Sequence, residues 1–196
     1  MTPRAFAAML RARLYVSRRL VLYAWAVAVL VALVQPAGVT APLFCCSLLA
    51  VAIALDQTPG RHPHLDRCEQ SAPLFGRELA RAKAVVPCLA GLIATIAYAL
   101  VQVGRGSPDA GATLLVVSPA AVASALVALS ATVRLGWTRV LYILLACATS
   151  AAAYALAVSQ RLVLAEIVFC AIVAFAALRQ YGETLARWDP LWTPRP

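Results

Sequence analysis

The stretch Asp66-Arg67-Cys68-Glu69-Gln70-Ser71-Ala72-Pro73-Leu74-Phe75-Gly76-Arg77-Glu78-Leu79-Ala80-Arg81-Ala82-Lys83 closes a polar interval that begins at Asp56. It is the only long hydrophilic run between the first apolar segment and the last, and it ends against the apolar run that opens at Ala84. Beyond Leu20, everything apart from residues 56–83 and the tail at 179–196 is apolar segments joined by connections of a few residues. Docking or chemistry carried out in water therefore has this interval to use and little else.

Working outward, composition sets the class. The chain is 63% hydrophobic with a mean hydropathy of +0.83, where soluble domains are about half apolar. That is more apolar surface than one globular core hides, so the expectation is an all-α polytopic membrane protein with residues 1–196 as a single transmembrane domain and no separate soluble catalytic domain. A formal charge of +9 and a pI near 9.8 invite a nucleic-acid reading. The basic residues stand at the ends of apolar segments, where a bilayer accounts for them, so no nucleic-acid partner is expected. Cys45, Cys46, Cys88, Cys147 and Cys170 lie inside apolar runs and only Cys68 is in the polar loop, which is cysteine used as a small hydrophobe rather than as a disulfide framework. The basic-then-apolar N-terminus is read as an uncleaved first helix, because five arginines precede the apolar run and further apolar segments follow it.

A transmembrane helix needs about 20 mostly apolar residues. Six segments qualify, with some extension of the shorter ones: 20–34, 38–55, 84–103, 110–133, 140–158 and 162–178. Upstream, Phe6, Met9, Leu10 and Leu14 gather on one side of a helical projection and alternate with Arg4, Arg11, Arg13, Arg18 and Arg19, so residues 1–19 are expected to form an amphipathic helix lying on the leaflet. Pro119, near the middle of the fourth segment, predicts a kink or an unwound turn. One set of connections carries fifteen Lys and Arg and the other only Arg105 and Arg161. The positive-inside rule then places both termini and the 56–83 loop in the cytoplasm, and the chain in a plasma membrane of the bacterial inner-membrane kind. Trp25, Trp137, Tyr142, Tyr181 and Trp188, mostly near segment ends, fit an aromatic belt.

Catalytic patterns are scarce. There is no glycine-rich phosphate loop, no strand pattern to hold one and no Ser/His/Asp grouping, so the chain is not expected to be an enzyme or to hydrolyse ATP by itself. His62-Pro63-His64-Leu65-Asp66, followed by Cys68 and Glu69, has metal-ligand residue types but fits no closed zinc spacing, and a solvated loop is the expectation. A membrane-embedded metal enzyme built on His62, His64 and Asp66 is the alternative it leaves open. Glu166 is the single acid inside an apolar segment; it is either an intramembrane functional carboxylate or a group paired locally with Arg161. The few polar residues along the segments, among them Thr95, Gln102, Thr113, Ser124, Ser130, Thr149 and Ser150, suit an amphipathic cargo better than an ion.

The loop has an internal order. Residues 64–71 can form about two helical turns, Pro73 stops them, and Gly76 can cap a new helix whose first turn holds Glu78 near the positive helix end, with Arg81 and Lys83 leading into the third span. At these residues the chain resembles the membrane subunits of type-2 ATP-binding-cassette transporters. That family joins an amphipathic N-terminal helix to six membrane helices, with a cytoplasmic coupling helix and a proline turn between helices two and three. Pro73, Glu78, Leu79 and Lys83 match its Pro and Glu-hydrophobe-x-x-x-Lys pattern, and Asp66, Arg67 and Glu69 stand where the charged coupling helix would be; Gly76 replaces the usual Ser. The connection at 159–161 is too short for the outer re-entrant hairpin of many members.

The resemblance implies a permease subunit, an exporter, that forms the substrate pathway and holds no cofactor of its own. ATP and magnesium would sit on separate nucleotide-binding ATPase subunits, docked at Asp66, Arg67, Glu69, Gln70, Pro73, Leu74, Phe75, Arg77, Glu78 and Lys83. A second permease copy or a related subunit would pair with the chain in the bilayer. A six-helix scaffold or assembly factor without turnover is the competing reading.

Overall fold

Hydrocarbon offers backbone amides no partner, so a long apolar run closes its hydrogen bonds within itself as a helix. The computed structural model describes residues 3–35, 38–59, 61–64, 66, 76–158 and 163–186, with side chains from residue 7 in the first helix and from residue 79 in the third. Among these the chain forms α1 (Pro3–Val34), α2 (Thr40–Asp56), α3 (Gly76–Gly104), α4 (Ala110–Ala131), α5 (Trp137–Val158) and α6 (Val163–Ala186), with no strand among the described residues. All but α2 are long and apolar enough to cross a membrane. At 17 residues α2 is about 25 Å long, short of the roughly 30 Å of a bilayer core, so six full-length spans become five and one shorter apolar helix.

Three expectations are revised. The separate N-terminal helix does not exist as such: α1 runs unbroken for 32 residues, because no Gly or Pro interrupts it after Pro3, and Arg13 and Ser17 are buried against the bundle instead of lying on a surface. Of the kink or unwound turn expected at Pro119, the unwound turn is absent, since α4 runs through it as one continuous helix. α6 continues past the apolar run at 162–178 to Ala186. The expected continuity of α3 from Gly76 is present, with Pro87 in its interior. Most of the expected coupling helix, residues 67–71, lies outside the described residues, as do the proline turn, Arg161 and residues 187–196 of the tail; what is described is a turn in which the Asp66 amide donates to the His62 carbonyl at 2.9 Å.

α4 is the centre, packed against α2, α3, α5 and α6, while α1 lies against α3 and α2. Small residues permit this. Without a hydrophobic drive between helices in lipid, close backbone approach supplies the packing, and α4 buries Ala120, Ala121, Ala123, Ala125, Ala128 and Ala131. A methyl group at Gly91 of α3 would stand 3.1 Å from Cβ of Ala50 on α2 and 3.3 Å from Cβ of Ala121 on α4, so three helices meet there at backbone distance. α1 joins through Ala24, Ala28 and Ala32, one turn apart. Many large side chains face outward instead: Leu22, Leu30, Leu100, Leu144, Ile172 and Phe175 are all exposed, an exterior matched to hydrocarbon rather than water.

α3 ends in a Schellman turn. The Gly106 amide donates to Val103 O and the Ser107 amide to Gln102 O, at 2.9 and 3.0 Å, with Gly106 at a φ of +70° where a side chain would be strained.

Candidate functional site

The polar groups collect at the two ends of the bundle. At the basic end, α1 contributes Arg13 and Ser17, four residues apart and so on one face. α2 ends in Asp56, capped by Gln57, and the following loop brings Arg61, His62 and Asp66; α3 adds Lys83 from its second turn.

These groups form one network. Arg13 donates from one terminal nitrogen to Gln57 Oε1 at 2.9 Å and from the other to Asp66 Oδ1 at 3.3 Å. Gln57 donates through Nε2 to Ser17 Oγ at 3.1 Å, and Ser17 in turn donates to Asp56 Oδ2 at 3.5 Å. His62 Nε2 is 3.1 Å from the same Asp56 oxygen, the exposed Arg61 reaches Asp56 Oδ1 at 3.5 Å, and Lys83 Nζ lies 3.9 Å from Asp66 Oδ1. Arg13 is 1% exposed, Lys83 3% and Asp56 5%. Ions at that depth persist only when paired and hydrogen-bonded, and here two buried cations, Arg13 and Lys83, meet two carboxylates, Asp56 and Asp66. The arrangement fastens the first helix, the end of the second, the loop and the root of the third to one another.

Of the docking residues expected from sequence, the structure brings together Asp66 and Lys83, and turns both inward as part of this fastening. Arg67, Glu69, Gln70, Pro73, Leu74 and Phe75 lie outside the described residues; Arg77 and Glu78 are in α3, their side chains undescribed. His62 is engaged by Asp56 and His64 is exposed, and among the described residues no three His, Cys, Asp or Glu converge as metal ligands would. The sequence reading missed Arg13, Ser17, Asp56 and Gln57 as a set. The available signal was Arg13 and Ser17 at helical spacing on the face that also carries Met9, Leu10 and Leu14.

Glu166, in the first turn of α6, is fully buried. Cys170 Sγ–H donates to its Oε1 at 3.3 Å, one turn along the same helix, and Oε2 has no partner among the described residues. Around it the bundle interior carries little free polarity. Thr95, Thr149 and Ser130 return their hydroxyls to the carbonyls of Gly91, Leu145 and Leu126, and Ser124 and Ser150 bond each other at 2.8 Å.

The opposite end is held differently. Arg105 of the α3–α4 connection, an ordinary loop charge by its sequence, donates to the carbonyls of Ala32, Leu33 and Gln35 at 2.7, 3.1 and 2.9 Å, satisfying the last carbonyls of α1. Gln102 accepts from Thr113 Oγ1 at 2.7 Å and donates to Gly38 O at 3.2 Å, joining α3, α4 and the α1–α2 connection.

The class these features define is an all-helical chain compatible with a multi-pass membrane protein, with an ionic network at one end. No protein-family model, curated protein or solved structure matches the chain.

Proposed function

We propose that the chain is the membrane-spanning permease subunit of a type-2 ATP-binding-cassette exporter, with its basic end in the cytoplasm of a bacterial inner membrane. One observation carries the reading. α3 is a single 29-residue helix, about 43 Å long, that begins in the one long wet connection and runs to the far end of the bundle, its root tied to that connection through Lys83 and Asp66. A push on the loop is thereby delivered to a rigid element that touches α1, α2, α4 and α6. In this reading residues 64–71 form the coupling helix, Arg67, Glu69, Gln70, Leu74 and Phe75 meet the ATPase, and Asp66 and Lys83 set the angle at which they are presented. The active unit is two such chains, or this chain and a related one, with two ATPase subunits. Glu166 belongs to the bilayer portion and has no assigned role in the coupling.

Purification in mild detergent tests the proposal. A nucleotide-binding protein that accompanies the chain, with ATP hydrolysis by the complex, is expected; a chain that purifies alone and leaves ATP untouched overturns it in favour of a scaffold. Within the complex, Leu74→Asp with Phe75→Asp, or Ala80→Pro, should abolish transport while the ATPase stays bound or hydrolyses without coupling. Normal ATP-dependent export by both variants contradicts the coupling role.

A further inference from the structure

Between the first turns of α3 and the last turns of α6, at the basic end, lies a cavity of about 340 Å³ lined by Ala80, Arg81, Phe175, Leu178, Arg179 and Gly182. It is apart from the ionic network. Arg81 is exposed, with no hydrogen bond or ion pair to any described residue. Arg179 donates its Nε–H to Glu183 Oε1 at 3.0 Å in an exposed pair, and its two terminal nitrogens engage no described residue. Among the residues whose side chains are described, Glu183 is the one carboxylate paired with the cavity's cations.

The apolar side of the cavity continues along the membrane-facing surface. Leu164, Val168, Ile172 and Phe175 are all exposed on α6 at spacings of four, four and three residues, and Arg179 follows four residues after Phe175. Helical geometry makes this one continuous stripe, apolar along its length and cationic at its end. We propose that this cavity binds an anionic phospholipid, its phosphate between Arg81 and Arg179 and an acyl chain along Phe175, Ile172 and Val168. Charge decides against a second copy of the chain as occupant, since a partner presenting the same face would set arginines against arginines. The arrangement also suits a fork-shaped guanidinium pair holding a phosphate at the head-group level. It depends on the membrane reading alone, so a chain that lacks an ATPase partner leaves it standing.

Native mass spectrometry of the full chain in neutral detergent, with phosphatidylglycerol and phosphatidylcholine of the same acyl chains supplied together, tests it. Retention of phosphatidylglycerol over phosphatidylcholine by about tenfold is expected from two arginines near the surface, partly offset by Glu183. Arg81→Gln with Arg179→Gln should remove the preference, and Arg81→Lys with Arg179→Lys, which keeps the charge, should retain most of it; circular dichroism establishes that both variants are folded. Preference surviving in the folded glutamine variant overturns the site. Full displacement of the lipid by millimolar inorganic phosphate overturns the lipid in favour of a free anion, and a shift from dimer to monomer in the glutamine variant with lipid retention unchanged overturns it in favour of a second copy.

Discussion

The two ends of the bundle solve the same problem with different chemistry. At the basic end, three almost wholly buried charged groups, Arg13, Asp56 and Lys83, and the partly buried Asp66 are joined with Gln57 and Ser17. At the opposite end a single exposed arginine caps a helix, and a neutral Gln102–Thr113 pair bridges two others. The connections explain the difference. The loops at 105–109 and 35–39 are so short that adjacent helices are held together by the chain, and the side chains need only satisfy stray carbonyls. The loop after Asp56 is long, and without side-chain links nothing would fix its beginning against α1 and α3. Ionic pairs also impose one geometry where apolar contacts tolerate several, a property suited to a loop that has to present a surface to a partner.

The comparison breaks most clearly at Arg13. Removing one member of a buried ionic network leaves the others uncompensated, so Arg13→Ala should cost about 3–5 kcal/mol in reversible unfolding from mixed micelles. Proteolysis within residues 56–75 should accelerate in parallel, because Gln57 and Asp66 both lose a donor. A loss below about 1 kcal/mol, the range of an exposed pair, would show that the network does not fasten this end.

The next largest effect belongs to the neutral pair. Thr113→Val strands the buried Gln102 carbonyl oxygen and should cost about 1–3 kcal/mol. Adding Gln102→Leu should recover most of that loss, since both partners are then apolar and only the Gly38 carbonyl loses a donor. The same double replacement has no counterpart at the basic end, where each charge has several partners. Failure of the second substitution to recover stability would mean that Gln102 matters for Gly38 rather than for Thr113.

How much of this was legible beforehand follows from the same contrast. Apolar run length gave the helices at 110–133 and 140–158 to within a few residues, and the end of the one at 84–103, because a helix is the one way such a run can satisfy its backbone. It counted 38–55 as a full span, whereas the helix starts only at Thr40, after Gly38 at a φ of +142°, and is 17 residues long. It separated the N-terminal arm from the first span because arginine is read as a surface residue. Arg13 is instead buried, and the partner that makes burial tolerable, Asp66, stands 53 positions away. Pairings of that separation leave no periodic trace in a single sequence. The cap on α1 by Arg105 was hidden in the same way, across 70 to 73 positions. Local order was readable, as in the continuous helix from Gly76, whereas the long-range polar contacts that build the candidate site were not.

Arg105 provides the smallest and sharpest test of the comparison. Its three carbonyl acceptors lie at the last turn of α1 and just beyond it, and two of the three bonds are exposed, so water or lipid head groups can replace the guanidinium when it is removed. What remains is the attraction of a cation for the negative end of a helix, worth about 0.3–1 kcal/mol at an exposed site and weakened by salt. Arg105→Gln should therefore lower stability by less than about 1 kcal/mol, with the difference from the parent chain shrinking as salt is raised. Arg13→Ala should keep its full effect under the same salt, because buried pairs are screened much less. If the two variants instead lose equal stability and respond alike to salt, burial is not what separates the two ends, and the basic network is a surface feature like its counterpart.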